Sequence, residues 1–256
     1  PLKHSHTQTL TLKLSLIFMK KLLFLALLLF FLPSFSFAIG VYKAGDKLFN
    51  LAQSGLILRK TASPDGARIS SVAYGEEVTV QKIDLPKKAH QVDDFKGYKI
   101  KGFWVKVKTK AGLEGYVFDG YLSSYQAPGT ALVEAQSEEA SCTAEMYMLG
   151  KSAKKGARVV IPKVGNQYEH YRQAFKNGAS VEFNGGEGGS SQSITFEKGI
   201  TVEEAYLIGK ALWLKVMKVV PVFKKNVITV SSYDELWQIV VENKAGAVTL
   251  TMSHAD

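Results

Sequence analysis

The chain is poor in the residues that build covalently cross-linked or metal-stabilised folds. Its 256 residues include one Cys and five His. A single Cys excludes an intrachain disulfide and any Cys-rich zinc or iron–sulfur site. His90, His170 and His254 lie on three separate segments and show no H-x-x-x-H spacing of a metal site. We therefore expect no metal ion and no cofactor.

Acidic residues are the minority charge. The chain has 23 Asp and Glu against 32 Lys and Arg, a net charge of +9. Residues 1–38 carry four Lys and no acid, residues 39–125 carry 14 basic and 9 acidic residues, and residues 126–256 carry 14 of each. Because the excess that remains after residue 38 is small, we expect no nucleic-acid partner.

Long hydrophobic runs are scarce, and the one that stands out lies near the N-terminus. Met19-Lys20-Lys21 precedes eleven apolar residues, and Pro33 ends the run. Ser36-Phe37-Ala38 then places small residues where a signal peptidase requires them, so residues 1–38 are predicted to end in a secretory signal peptide cleaved after Ala38. The run is shorter than the roughly 20 residues that span a bilayer. We expect an exported protein, periplasmic or extracellular, without a membrane span after cleavage.

Residues 50–125 have the pattern of short strands separated by Gly, Pro and Asp turns. Ser63-Pro64-Asp65-Gly66 is a turn signal, because Pro presets φ and Gly accepts a positive φ. In residues 103–110, Val105 and Val107 alternate with Trp104 and a run of lysines, so the two sets are predicted to face opposite sides of a strand. About five such strands in so short a stretch predict a small all-β barrel.

Several of these motifs carry a family resemblance. They are Leu58-Arg59, Pro64, Gly75-x-x-Val78-x-Val80, Trp104-Val105-Lys106-Val107 and Gly115-Tyr116-Val117-x-x-x-Tyr121-Leu122. Together they resemble a bacterial SH3 (SH3b) domain. The resemblance implies an SH3-like barrel that binds peptidoglycan peptides or a protein partner. Residues 83–102 depart from the family pattern, and we expect this insertion to lengthen a loop and reshape the binding groove.

The rest of the chain predicts a linker and an α+β domain. Residues 126–145 are small, polar and acidic, typical of a linker, with a short helix around residues 132–140. In residues 146–256, Thr201-Val202-Glu203-Glu204 is a capping box, and the apolar stripe after it predicts a helix over residues 202–214. The fold class is mainly β, then α+β: a small SH3-like β-barrel followed by an antiparallel sheet with one main helix.

Strand patterns fill most of residues 146–256. They cover residues 158–164, 179–183, 191–196, 227–230, 236–241 and 247–252, and the Gly-rich residues 184–189 predict a hairpin tip. Two segments stay open between helix and strand. Residues 168–175 fit a short helix or an edge strand, and residues 233–242 fit a strand or a helix, because Ser232-x-x-Glu235 is a second capping box.

No motif predicts catalysis, so we expect a non-enzymatic protein. Cys142 lies in the linker without a peptidase-like setting, His170 and His254 are far apart, and Glu203-Glu204 is explained by helix capping. One alternative is a cell-wall hydrolase with its catalytic domain in residues 146–256. Another is a structural or interaction protein whose barrel packs only on its own second domain.

Ligand contacts are predicted on the basic strand and the aromatics around it. An exposed Trp beside cations offers both stacking and charge. The alternative is that the lysines form a solvated face, that Trp104 packs under the insertion, and that the Tyr side chains serve the core. The candidate residues are Trp104, Tyr74, Tyr116, Tyr121, Lys106 and Lys108.

Overall fold

A computed structural model describes most of the chain that follows the predicted signal peptide. The described residues are 42–82, 89–95, 98–129, 143–150, 154–196, 199–213, 219–224, 226–232 and 236–255. All of them belong to one compact unit, Ala38–Asp256. The predicted signal peptide, the helix predicted around residues 132–140, and Cys142 lie outside the described residues.

The N-terminal part is a seven-stranded antiparallel sheet. Its strands are β1 (Lys47–Asn50), β2 (Leu56–Arg59), β3 (Arg68–Val72), β4 (Glu77–Lys82), β7 (Trp104–Thr109), β8 (Glu114–Phe118) and β9 (Leu122–Ser123). They pair in the order β3-β2-β8-β7-β4-β1-β9. Alternate side chains point inward, so Leu58, Val72, Val107 and Val117 are fully buried. The predicted small all-β barrel is confirmed.

The insertion at residues 83–102 contains a separate antiparallel hairpin. Its strands are β5 (His90–Phe95) and β6 (Tyr98–Gly102). Gly102 ends the hairpin where Asp119 and Phe118 come so close that a Cβ atom would overlap both. Since β7 follows almost at once, this contact holds the hairpin against one side of the barrel.

The second domain is an eight-stranded antiparallel sheet. Its strands are β10 (Lys155–Val160), β11 (Gln167–Phe175), β12 (Ser180–Gly186), β13 (Gly189–Phe196), β14 (Val219–Lys224), β15 (Val227–Ser232), β16 (Trp237–Lys244) and β17 (Ala247–Ala255). They pair in the order β10-β11-β12-β13-β17-β16-β15-β14. One face is apolar and buried, and it includes Val181, Ile194 and Leu250. The other face is rich in Ser and Thr.

Two α-helices lie among the described residues, α1 (Thr143–Gly150) and α2 (Val202–Trp213). The helix predicted over residues 202–214 is confirmed, and so is its capping box. The Glu204 carboxylate accepts the Thr201 backbone N–H at 2.7 Å, and the Thr201 hydroxyl accepts the Glu204 N–H at 3.1 Å. A Cβ atom at Gly209 would lie 2.6 Å from Leu250 Cδ1, so α2 lies very close to the sheet.

The first open segment is a strand, and so are residues 237–242 of the second. Residues 168–175 fall in β11, which is an interior strand because β10 lies outside it, so the helix and the edge position are both wrong. Residues 237–242 fall in β16, where Ile239 and Val241 are buried at the strand period of two. Residues 233–235, which hold the Glu of the second capping box, are not among the described ones.

The end of the predicted linker is structured. Helix α1 begins at Thr143, within residues 126–145, and Glu145 anchors it to the sheet. The Glu145 carboxylate accepts hydrogen bonds from Arg158 at 2.8 Å and Tyr171 at 2.9 Å, and it pairs with Lys155 at 2.6 Å. Burial opposes ionisation of Glu145, but these partners hold its pKa below the usual value.

The barrel and the second domain share one hydrophobic core. Leu51, Ile100 and Phe118 from the N-terminal half cluster with the buried residues of α1, α2 and the large sheet. A separate cluster fills the inside of the barrel. The chain after the barrel stays attached to this core, because the Tyr147 hydroxyl donates to the Gln126 carbonyl at 2.7 Å.

Candidate functional site

A cavity of about 520 Å³ lies where the barrel, the β5–β6 hairpin and helix α2 meet. We call it the Trp104 cavity. The barrel supplies Arg59, Trp104, Phe118 and Tyr121, the hairpin supplies His90, Val92, Asp93 and Asp94, and α2 supplies Leu207 and Lys210. Its volume is within the range of small-molecule and peptide pockets.

Aromatic side chains form one wall of this cavity. Strand β7 buries Val105 and Val107 in the barrel, so Trp104 points outward, where it is half-buried. The Trp104 ring lies 6.3 Å from that of Phe118, its cross-strand partner. His90 packs on both rings, with centroid distances of 5.8 Å to Trp104 and 5.6 Å to Phe118. The wall therefore combines barrel and insertion.

A buried carboxylate, Asp94, ties the hairpin to the rest of the molecule. Its side chain is 7% exposed and accepts from Lys210 Nζ at 2.7 Å. The hydroxyls of Tyr121 and Tyr206 donate to the same carboxylate at 3.2 and 3.3 Å. Burial and the nearby Asp94 charge raise the pKa of Tyr121, so this phenol remains a donor.

Arg59 lines the cavity and has no anionic partner among the residues that the structure describes. It donates from Nη1 to the Gly66 carbonyl at 2.7 Å, and its Cζ lies 5.9 Å from the centre of the Trp104 ring. Within the described part of the chain, no Asp or Glu forms an ion pair with it. Asp93 points to the same cavity, is 70% exposed, and pairs with Lys99 at 3.6 Å.

The structure brings two of the six predicted site residues into the Trp104 cavity, namely Trp104 and Tyr121. Lys106 and Lys108 lie beside it on the outer face of β7 and both reach Glu114, at 3.3 and 4.0 Å. Tyr116 is the cross-strand neighbour of Lys106 on that face. These three residues do not line the cavity.

Tyr74 lies apart from the other predicted residues. Its hydroxyl donates to the Pro128 carbonyl at 3.0 Å, and its ring packs against the shared core. Burial raises its pKa to about 12. Tyr74 therefore connects the barrel to the chain that leaves it.

The sequence patterns did not single out Arg59, His90, Asp94 or Lys210. Arg59 was quoted only as part of the family motif, and His90 only as part of the insertion. Asp94 and Lys210 are 116 positions apart, so no local pattern links them. The sequence feature that could have pointed to His90 and Asp94 was the insertion at residues 83–102, because it departs from the family pattern.

The fold of the N-terminal part agrees with a comparison to known families. Residues 54–123 match the family model described as Bacterial SH3 domain. These residues form a bacterial SH3 domain. Modules of this type bind the cell wall, and peptidoglycan or proteins are their common partners. The match leaves the second domain outside it, and no curated protein and no solved structure matches the chain.

His170 and Glu182 form a polar cluster with Arg172 on the sheet of the second domain. His170 lies 3.0 Å from Glu182, which also accepts from Arg172 at 2.6 Å. Burial opposes ionisation of Glu182, but these two partners hold its pKa below the usual value. Across the described ranges, no three His, Cys, Asp or Glu lie close enough to share a metal ion.

The helices of the described ranges are also short. None of them is both long enough and apolar enough to cross a bilayer.

Proposed function

We propose that this chain is an exported, non-catalytic bacterial protein whose SH3 domain binds cell-wall peptides in the Trp104 cavity. One observation carries the proposal: an aromatic wall and a guanidinium with no anionic partner among the described residues face the same cavity, which the SH3 domain lines. Aromatic rings stack on peptide groups and Arg pairs with carboxylates, so this combination suits a peptide ligand. Export rests on the signal-peptide pattern of residues 19–38.

The second domain supports this role by forming part of the site. Leu207 and Lys210 of α2 line the cavity, and Lys210 holds the hairpin through Asp94. If the barrel served only to pack on its own second domain, we would expect this groove to be filled by side chains. An open cavity with a half-buried Trp at its wall favours a ligand.

The hydrolase alternative has less support. Glu204 caps α2, and His170 and Glu182 are paired with each other on the sheet. These positions give Glu204, His170 and Glu182 structural roles. We therefore propose that binding, without bond cleavage, is the activity of the molecule.

Sedimentation with insoluble peptidoglycan tests the proposed function. We expect residues 39–256 to sediment with the peptidoglycan, and Trp104→Ala to weaken binding about tenfold or more, as for aromatic hot spots in other interfaces. Trp237→Ala is the matched control, because Trp237 is an exposed Trp of the second domain that does not line the cavity. We expect it to bind normally.

Two results would contradict this proposal. If the wild-type protein is not retained, cell-wall binding is contradicted. If Trp104→Ala is retained as well as the wild type, the Trp104 cavity is not the binding site. Loss of turbidity in a cell-wall suspension, measured in parallel, would instead support the hydrolase alternative.

A further inference from the structure

We infer that the Trp104 cavity accepts the free C-terminal carboxylate of a peptide, and that Arg59 is the residue that binds it. The inference rests on the proposed function and adds the chemical group by which the ligand is anchored. It depends on the charges around the cavity rather than on the family match.

The cations of the cavity differ in whether an acid neutralises them. Lys210 is paired with Asp94 at 2.7 Å, and Lys99, next to the cavity, is 3.6 Å from Asp93. Arg59 has no such partner among the described residues, and neither has Arg68, which lies opposite it in the β2–β3 register. Among the described residues that line the cavity, the cation without a paired acid is therefore Arg59.

Arg59 is prepared to bind an anion. Its hydrogen bond to the Gly66 carbonyl and its position near the Trp104 ring restrain the side chain. A guanidinium has five N–H donors, and the Gly66 bond uses one of them. A planar fork of this kind binds a carboxylate with two parallel hydrogen bonds. Because Arg59 is half-buried, such a bond is stronger than it would be at a fully exposed residue.

The other lining groups select the type of anion. Asp93 and Asp94 line the same cavity and are paired with Lys99 and Lys210, so among the described residues Arg59 is left as a single cation, which suits an anion of one charge. Leu51 and Leu207 add apolar surface near the aromatic wall. A ligand with one negative charge next to small apolar side chains fits these conditions. The end of a short peptide has this chemistry, and it occurs both in peptidoglycan stems and at protein C-termini.

Calorimetric titration with synthetic peptides tests the inference. The probe is L-Ala-D-isoGln-L-Lys-D-Ala-D-Ala, used as the free acid and as its C-terminal amide. For residues 39–256 we expect the free acid to bind at least tenfold more tightly than the amide. Arg59→Gln should remove this difference, and Arg59→Lys should retain part of it, because a lysine keeps the charge but loses the fork.

Arg172→Gln is the matched control. It removes the same charge from the sheet of the second domain, where Arg172 pairs with Glu182. We expect this variant to keep the wild-type preference for the free acid. Circular dichroism melting of each variant shows whether it is folded, and the Arg59→Lys titration provides a second measurement if Arg59→Gln unfolds.

The outcomes separate this inference from the proposed function. Equal binding of acid and amide, or retention on peptidoglycan without binding of either peptide, overturns the inference and leaves the proposed function intact. Lack of retention on peptidoglycan overturns the proposed function. A peptide ending in L-Ala-L-Ala completes the test: stronger binding of this free acid than of the D-Ala-D-Ala one assigns the carboxylate to a protein C-terminus and supports Arg59 as its anchor.

Discussion

Two carboxylates show how differently burial acts on single residues of this protein. Asp94 is buried against Lys210, which neutralises it. Glu204 is buried at the start of α2 with hydrogen bonds from Thr201 and Ser123, and no cation of the described ranges pairs with it. Burial is the largest influence and raises the pKa of Glu204 to about 7, and the charge of Glu203 adds to the rise.

Stability should therefore fall as the pH rises from about 4.5 to about 7. In this window the unfolded chain releases the proton of Glu204 while the folded protein keeps it. The free energy of unfolding therefore falls as the pH rises. The full loss is about 3 kcal/mol, since each pH unit corresponds to about 1.4 kcal/mol. We expect Glu204→Gln to remove this loss and to be more stable than the wild type at pH 8.

Urea unfolding at pH 4.5 and pH 8 measures the effect. Glu187→Gln is the control, because Glu187 is an exposed carboxylate of the β12–β13 turn, and its variant should keep the wild-type pH dependence. An unchanged pH dependence in Glu204→Gln would show that another group is responsible.

At the scale of elements, the β5–β6 hairpin determines the shape of the candidate site. It is an addition to the SH3 pattern, and it contributes His90, Val92 and Asp93 to the lining of the Trp104 cavity. Asp94 connects it to α2 and to the turn that holds Tyr121. The Asp94–Lys210 ion pair therefore adds a link between elements that are far apart in the chain to the packing of His90 on Trp104 and Phe118.

Asp94→Asn should loosen the hairpin and lower the free energy of unfolding by about 3 kcal/mol, because it leaves Lys210 without its counter-charge in a partly buried place. Amide hydrogen exchange would show faster exchange in β5 and β6 than in the wild type, and the affinity for the pentapeptide should fall with it.

Asp93→Asn tests whether this effect is specific to the buried position. Asp93 lies on the same strand but is 70% exposed, and its bond to Lys99 is long. Pairs of this kind contribute about 1 kcal/mol or less. Equal effects of Asp93→Asn and Asp94→Asn on exchange would contradict the role given to Asp94.

At the scale of the whole molecule, the shared core makes the SH3 domain and the second domain parts of one structure. Phe118 is 4% exposed. Its ring packs near that of Trp104, and its side chain also belongs to the core that includes the second domain. The barrel could not expose this surface without losing a large part of its buried apolar area. We expect the two halves to unfold in one transition.

Leu250→Ala in β17 tests this cooperativity, because Leu250 is fully buried in the second domain. The cavity left by the missing atoms should lower the free energy of unfolding by about 3 kcal/mol. In a single cooperative unit, amide protection in β7 of the barrel falls by the same amount as in β12. Protection that falls in β12 alone would mean that the halves unfold separately.

Thr251→Ala is the control for this experiment. Thr251 is the next residue of β17, and its hydroxyl lies 2.9 Å from that of Ser193 on the polar face of the sheet. Its loss should change protection in either half by about 1 kcal/mol or less.

Much of the fold could be predicted because its determinants are local. The alternation of Val105 and Val107 with Trp104 and Lys106 assigned both faces of β7, and Thr201 with Glu204 marked the start of α2. Local patterns did not decide the secondary structure where one segment fitted both a helix and a strand. Residues 233–242 carried a helix-capping signal, but pairing with β15 and β17 made residues 237–242 a strand, and sheet pairing is a long-range contact.

By itself, the sequence determined the barrel, its family resemblance, the main helix and the outward direction of Trp104, because each depends on residues that are near one another in the chain. Only the tertiary structure decided which polar groups meet around Trp104. Arg59, Asp94 and Lys210 come from a barrel strand, an inserted hairpin and a helix of the second domain. Burial and charge in the folded protein determine which groups these three residues contact. Because the residues are far apart in the chain, no sequence periodicity predicts those contacts.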